Sequence, residues 1–229
     1  MGKNKLAHWA EMRSFSNVIQ PEAVRFKAFE HPLKGRWNED YFRNSNPIVL
    51  ELGCGKGEYT VGLSLKYPLK NFIGIDIKGA RIWRGAKTAI ESKIPNVMFL
   101  RTRIEFLTSF FSEDEIEEIW ITFPDPFPKR RNTARRLTSP FFLNSYRTFL
   151  KNGGIVHLKT DNRELYNYTN KIIEKNNLEA ICSTNDLYSP SEEYENLSIR
   201  THYENIFLSR GIKINYLSFR LDKNKIIEE

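Results

Sequence analysis

The chain has 229 residues, 40% apolar and 28% charged, with 35 Lys+Arg against 28 Asp+Glu and a formal net charge of +7. A chain of this length buries roughly 70–75% of its unfolded surface without staples, and the composition excludes a wholly disordered or fibrous protein. Cys54 and Cys182 make no disulfide framework and no metal-ligand pair, no run is long and apolar enough to span a membrane, and the N-terminus lacks the apolar core of a signal peptide; the expectation is a cytoplasmic protein with no membrane or metal partner.

Residues 1–45 mix charges with Trp9, Phe15, Phe26, Phe29, Trp37, Tyr41 and Phe42 without a clear period. They read as an N-terminal arm packing through those aromatics on a main domain, residues 46–229. From Ile48 the pattern becomes regular. Ile48 to Leu52 is a short buried strand running into glycines, followed by a helix over 58–66 that Pro68 stops. Strands follow at 71–76 and 96–100, with a helix over 79–92 between them and a short helix over 104–111 after them. A fourth strand within 116–123 is closed by Pro124. A helix over 140–150 ends at Gly153-Gly154, a fifth strand covers 155–159, and a helix covers 163–175. Strands over 178–183 and 213–221 complete the chain. Strands alternating with helices predict an α/β fold: a seven-stranded, mostly parallel sheet with helices on both faces, Rossmann-like, with ligands beyond the carboxyl ends of the strands.

The positive charge is local. Residues 1–45 carry +3, 46–128 carry −1, 129–160 carry +8 and 161–229 carry −3. Five of the cations fall within Lys129-Arg130-Arg131-Asn132-Thr133-Ala134-Arg135-Arg136, which no acid balances. Arginine's planar fork suits phosphate and stacks on bases, so this window reads as an RNA-docking strip.

Two motifs sit where ligands are expected. The first strand runs into Glu51-Leu-Gly53-Cys-Gly55-Lys-Gly57, a turn that lets backbone approach a ligand at a helix N-terminus. A dinucleotide fingerprint would place its third glycine at position 58, which is Glu58, and Glu51 would repel a pyrophosphate. Glu51 suits a cation instead, and Asp76, ending the second strand, suits ribose hydroxyls. A ligand with an adenosine ribose, a cationic amino-acid end and no phosphates is S-adenosyl-L-methionine. The fourth strand ends in Phe123-Pro-Asp125-Pro-Phe-Pro128, a proline-stiffened loop that brings Asp125 to the start of the cationic run.

These motifs, with Gly35-Arg-Trp37, Gly74-Ile-Asp76, Arg135-Arg-Leu-Thr138, Thr160-Asp161 and Thr201-His-Tyr-Glu204, resemble the bacterial tRNA (guanine-N7-)-methyltransferases from about Pro32 to Leu221. The glycine turn is shared by many methyltransferases; the proline-flanked aspartate, Arg-Arg-Leu-Thr and the late Thr-x-Tyr-Glu together are specific. The resemblance implies the class I methyltransferase fold and methyl transfer to the variable-loop guanosine at position 46 of tRNA. It implies cofactor contacts at Glu51, Gly53, Gly55, Asp76, Arg103, Ile104 and Asp125, with Asp125 catalytic where cofactor and substrate join. It implies substrate contacts at Lys129, Arg130, Asp161, Thr201, His202, Tyr203 and Glu204. The chain departs from the family at Arg103, where an acid is usual near the adenine, and at Phe127, where tryptophan is common.

Guanine nitrogen-7 has an in-plane lone pair and no proton, so its methylation needs no general base; Asp125 is expected to orient the purine or offset its developing charge. Asp161 and Glu204 are expected to accept from the base, with Phe127 or Tyr203 as stacking surfaces. Two readings compete: a methyltransferase of this fold acting on another substrate would not need the cationic window, and a non-catalytic RNA-binding protein would not need Glu51, the glycines, Asp76 and Asp125 intact. A monomer and a homodimer both remain open.

Overall fold

The apolar runs pair as strands in a computed structural model, which describes residues 3–21, 29–189, 197 and 199–229. The chain folds as two units, Met1–Ser112 and Glu113–Glu229. Phe26, among the arm aromatics, lies outside the described residues.

In the first unit, β1 (Val18–Ile19), β2 (Ile48–Leu52), β3 (Asn71–Ile75) and β4 (Val97–Leu100) form a parallel array in the order β1-β4-β3-β2. All residues of β2, β3 and β4 are buried, as befits strands whose apolar runs do not alternate with polar residues. β1 adds a strand to the seven expected; two residues are too few to leave a pattern. It pairs Val18 with Phe99 and Ile19 with Leu100. Three helices, α1 (Lys3–Met12), α2 (Glu58–Lys66) and α3 (Gly79–Glu91), accompany these strands. The short helix expected over 104–111 is a 3₁₀ helix over Ile104–Ser109. Trp37 is fully buried, its indole N–H donating to Phe110 O at 2.8 Å.

One packing detail explains the glycine spacing. A Cβ on Gly57 would fall 2.5 Å from Phe99 Cε1, one on Gly74 2.8 Å from the same ring, and one on Gly85 2.8 Å from its Cζ. The buried Phe99 ring therefore occupies a slot that three glycines leave open, and it clamps the turn before α2 against β3 and α3.

In the second unit, β5 (Ile116–Thr122) runs parallel to β6 (Leu150–Thr160), and β6, β8 (Asn215–Arg220) and β7 (Ala180–Thr184) follow in antiparallel pairings. The mostly parallel character expected thus holds: the pairs of the first unit and β5 with β6 are parallel, and the antiparallel pairs are those of β8. Gly153 and Gly154 do not end the preceding helix. That helix, α4 (Pro140–Tyr146), stops earlier, and the glycines lie inside a long β6, whose pairing with β5 shifts register between Ile116 and Glu118 of β5. Helices α5 (Arg163–Lys175) and α6 (His202–Ser209) complete the unit; α6 was not expected. Among the described residues, no helix is long and apolar enough to cross a membrane.

Candidate functional site

β2 delivers Glu51 to the mouth of the first glycine turn. The turn folds back on the next strand: Gly53 and Cys54 N–H donate to Ile75 O at 2.8 and 3.0 Å. Asp76, one residue past β3, then ties the two strand ends together. It accepts from Gly55 N–H at 3.0 Å and Lys78 N–H at 2.8 Å, one oxygen each. Glu51 and Asp76 are buried, and the Thr60 hydroxyl donates to Glu51. Burial, reinforced by the charges of Glu51 and Asp76, pushes the Cys54 thiol well above its ordinary range, so Cys54 stays protonated and inert.

A Cβ built on Gly53 meets nothing within 4 Å, so this part of the turn faces open space while Gly57 is packed solid. An open glycine turn flanked by two carboxylates suits a ribose carrying a cationic end and repels a diphosphate. The residues present therefore fit an S-adenosylmethionine-like group, with Glu51 toward the cation and Asp76 toward ribose hydroxyls. Arg103 and Ile104 begin the 3₁₀ turn after β4. Arg103 is exposed and pairs with Glu105 at 3.0 Å, so its side chain is engaged locally.

In the second unit, Phe123 follows β5 directly, and its N–H donates to Lys159 O at 2.8 Å. The next five residues form the proline-flanked loop. Phe123 and Phe127 both have left-handed backbone, with φ of 48° and 42°. Aromatic residues rarely adopt it, at a cost of about 1–3 kcal/mol each, and such strain collects at functional sites. Between them Asp125 is exposed. Lys129, Arg130, Arg131 and Arg135 are exposed along a 3₁₀ turn over Arg130–Arg135, and Arg135 lies 4.6 Å over the Phe127 ring. Arg136 differs: it is 3% exposed and turned inward. One member of the supposed docking strip is therefore not part of it.

Asp161 follows β6 directly, and Asn162 caps α5 by accepting from Leu165 N–H. Burial raises the Asp161 pKa, opposed by a backbone hydrogen bond. Thr201-His-Tyr-Glu204 is the start of α6. Thr201 is its N-cap, and Thr201 and Glu204 form a reciprocal capping box. Tyr203 is 48% exposed and His202 is exposed beside it, the rings 5.9 Å apart. Glu204 faces the other way. Its carboxylate has no exposed surface, pairs with Lys159 Nζ at 2.7 Å and accepts from Tyr188 OH at 2.6 Å. This side chain therefore holds the helix start, while His202 and Tyr203 are exposed.

The sequence reading missed Lys159 and Tyr188. Lys159 also donates to Ile199 O at 3.0 Å, and burial lowers its pKa against the opposing pull of Glu204. A signal was present: Ile155-Val-His-Leu-Lys159 puts a lysine in a largely apolar strand segment, where it cannot be left unpaired in a core, and Thr-x-x-Glu is itself a helix-start signature. Tyr188 has no such signal.

Comparison with known proteins agrees with this geometry. Residues 45–217 match a family model described as "Putative methyltransferase". The tRNA (guanine-N(7)-)-methyltransferase of Bacteroides thetaiotaomicron is 46% identical over 229 residues, covering 100% of this chain and 90% of that one. The protein of the same name from Porphyromonas gingivalis is 53% identical over 213 residues, covering 92% and 86%. Among solved structures, the 16S rRNA methyltransferase KamB aligns with a TM-score of 0.62 at 14% identity, covering 80% of this chain and 92% of that one. Geranyl diphosphate C-methyltransferase from Streptomyces coelicolor, solved with S-adenosyl-L-homocysteine, aligns with a TM-score of 0.51 at 15% identity, covering 80% and 73%. These structural likenesses show the Rossmann-like methyltransferase fold.

Proposed function

The chain belongs to the tRNA (guanine-N(7)-)-methyltransferase family, and we propose that it methylates nitrogen-7 of the variable-loop guanosine of tRNA in the cytoplasm, with S-adenosyl-L-methionine as donor. The observation that carries this reading is Asp125. It is an exposed carboxylate between two residues of strained backbone, followed at once by four exposed cations. An RNA-binding module needs the cations but not an aspartate held in a strained loop, and a small-molecule methyltransferase does not need the cations.

When bound, S-adenosylmethionine supplies an electrophilic methyl group. Glu51 balances the cationic end of the donor, and Asp76 accepts from its ribose while holding Gly55 in place. Lys129, Arg130, Arg131 and Arg135 bind tRNA phosphates. Asp161 accepts from the amino and imino groups of guanine, and Tyr203 offers a half-exposed ring on which the extruded base stacks. Nitrogen-7 needs no deprotonation, so Asp125 works electrostatically: it orients the purine and offsets the positive charge the ring gains. Asp125 abstracts no proton.

The test is direct. The protein is incubated with labelled S-adenosylmethionine, bulk tRNA, protein and small-molecule pools, and the pools are separated. Label in tRNA that creates an aniline-cleavable site in the variable loop is the expected result. Label in protein or small molecules, or none, overturns the reading.

A further inference from the structure

The mechanism above gives Arg136 no task, yet it is the most deeply buried cation of the run. Its Nε donates to Pro126 O at 3.0 Å and its Nη2 to Phe127 O at 3.2 Å. These are the two carbonyls immediately after Asp125. Pro124, Pro126 and Pro128 have no N–H, so the loop cannot brace itself through a backbone ladder. The guanidinium supplies the missing donors from the side.

Arg136 is itself fixed from two directions. Nη2 reaches Glu164 Oε1 at 3.1 Å, and the guanidinium lies 4.4 Å over the Tyr168 ring. Glu164 and Tyr168 are one turn apart on one face of α5. Asp161 lies two residues before that helix, so a single side chain couples the loop bearing Asp125 to the helix that follows the proposed guanine acceptor. The Pro126 and Phe127 carbonyls and Glu164 are also what strained backbone needs. Phe127, at φ 42°, has to be held against relaxation.

We infer that Arg136 is a positioning residue for the methyl transfer, setting the Asp125 loop, and not a phosphate contact. The inference rests on the proposed role of Asp125. A carboxylate misplaced by about 1 Å loses on the order of 10²-fold in rate. Lysine replaces the fork only in part, because a compact ammonium lacks the spread donors that reach two carbonyls and a carboxylate at once.

The experiment compares Arg136→Ala, Arg136→Lys, Arg131→Ala and Asp125→Ala in steady-state turnover and in tRNA binding across a salt series. For Arg136→Ala, kcat is expected to fall on the order of 10²-fold. Donor KM, tRNA affinity and the salt slope stay unchanged, and Arg136→Lys recovers part of the loss. Arg131→Ala, in contrast, makes the log–log salt slope shallower by about 0.7–0.9. A shallower slope in Arg136→Ala with kcat retained overturns the inference, because Arg136 is then a phosphate contact; so does an unchanged kcat. Normal turnover of Asp125→Ala overturns the catalytic reading itself, whereas an inactive Asp125→Ala beside a fully active Arg136→Ala overturns only the clamp. If Arg136→Ala does not fold, the double variant Glu164→Ala/Tyr168→Leu removes the anchors and keeps the charge. Loss of kcat at an unchanged salt slope then supports the clamp, and full kcat overturns it.

Discussion

Lys159 Nζ lies 2.7 Å from Glu204 Oε1, and neither side chain has any exposed surface. β6 and the first turn of α6 are thus joined by an ion pair inside the second unit, with Tyr188 OH and the Thr201 capping box completing the partners of the carboxylate. Removing one partner strands a buried charge, which costs about 3–5 kcal/mol, whereas replacing both with apolar groups costs far less. Glu204→Ala and Lys159→Ala are each expected to lower urea stability by that amount, and Lys159→Met/Glu204→Leu by much less than the sum. Additive losses in the cycle would show that the two groups do not interact. Thr201→Ala, which removes only the cap, is expected to cost about 1 kcal/mol.

Asp125 carries the proposed chemistry without any structural task that its side chain performs in the described contacts. Asp125→Asn keeps the shape and removes the charge. It is expected to fold with unchanged melting temperature, to bind donor and tRNA normally, and to lose most methyl transfer. Because no proton leaves nitrogen-7, what the substitution removes is the negative charge beside the purine. Near-parent turnover in Asp125→Asn would contradict the electrostatic role.

Parts of this site were legible in the sequence because they are local. Glu51, Gly53, Gly55 and Gly57 lie within one strand-turn-helix, and Asp76 ends the next strand, so spacing alone places them together. Arg136 was read as one more cation of a run, because a charge run reports composition and not direction. What turns it inward is Glu164, 28 residues later, and the Tyr168 ring. The ligand role of Glu204 comes from the resemblance of Thr201-His-Tyr-Glu204 alone, and its partner, Lys159, lies in another element and leaves no local sign. Two-residue β1 and the 3₁₀ turns are too short to leave a periodic trace.

Asp161 gives a pH signature. Its carboxyl pKa is raised by burial, so as pH falls the charged acceptor is lost earlier than for an ordinary aspartate near 3.9. The acid limb of kcat/KM for tRNA is expected to have a midpoint above that value, and Asp161→Asn to lack the limb while working poorly at neutral pH. Stability has the opposite sign. A raised acid pKa means the folded state disfavours the charged form, so the penalty is present above the folded pKa and is relieved as pH drops through it. Asp161→Asn should therefore melt at the same temperature as the parent or higher at pH 7, and a lower melting temperature would argue that the carboxylate is structural.

The salt dependence follows from which cations face outward. With Arg136 buried, Lys129, Arg130, Arg131 and Arg135 remain. Four phosphate contacts give a log–log slope of about −2.8 to −3.6 for tRNA binding. A slope near zero, measured by filter binding between low and moderate salt, would leave the cationic run with solubility as its only role.

The glycine turn makes two opposite demands on one motif, and two substitutions separate them. Gly57 has φ 69°, and its Cβ would strike the Phe99 ring at 2.5 Å and approach Gly85 Cα at 3.2 Å. Gly57→Ala therefore combines left-handed strain with overpacking, each costing about 1–3 kcal/mol. Because the obstructing group is a ring, adding Phe99→Leu should return part of that loss. Gly53 has φ 74° but meets nothing within 4 Å. Gly53→Ala is expected to cost only the backbone strain, about 1–2 kcal/mol, and to put its methyl group where the donor is proposed to bind. Calorimetric melting and donor titration should thus divide: Gly57→Ala loses stability first, and Gly53→Ala loses donor affinity first. Equal donor affinity in Gly53→Ala and the parent would mean that the open side of the turn is not the donor's seat.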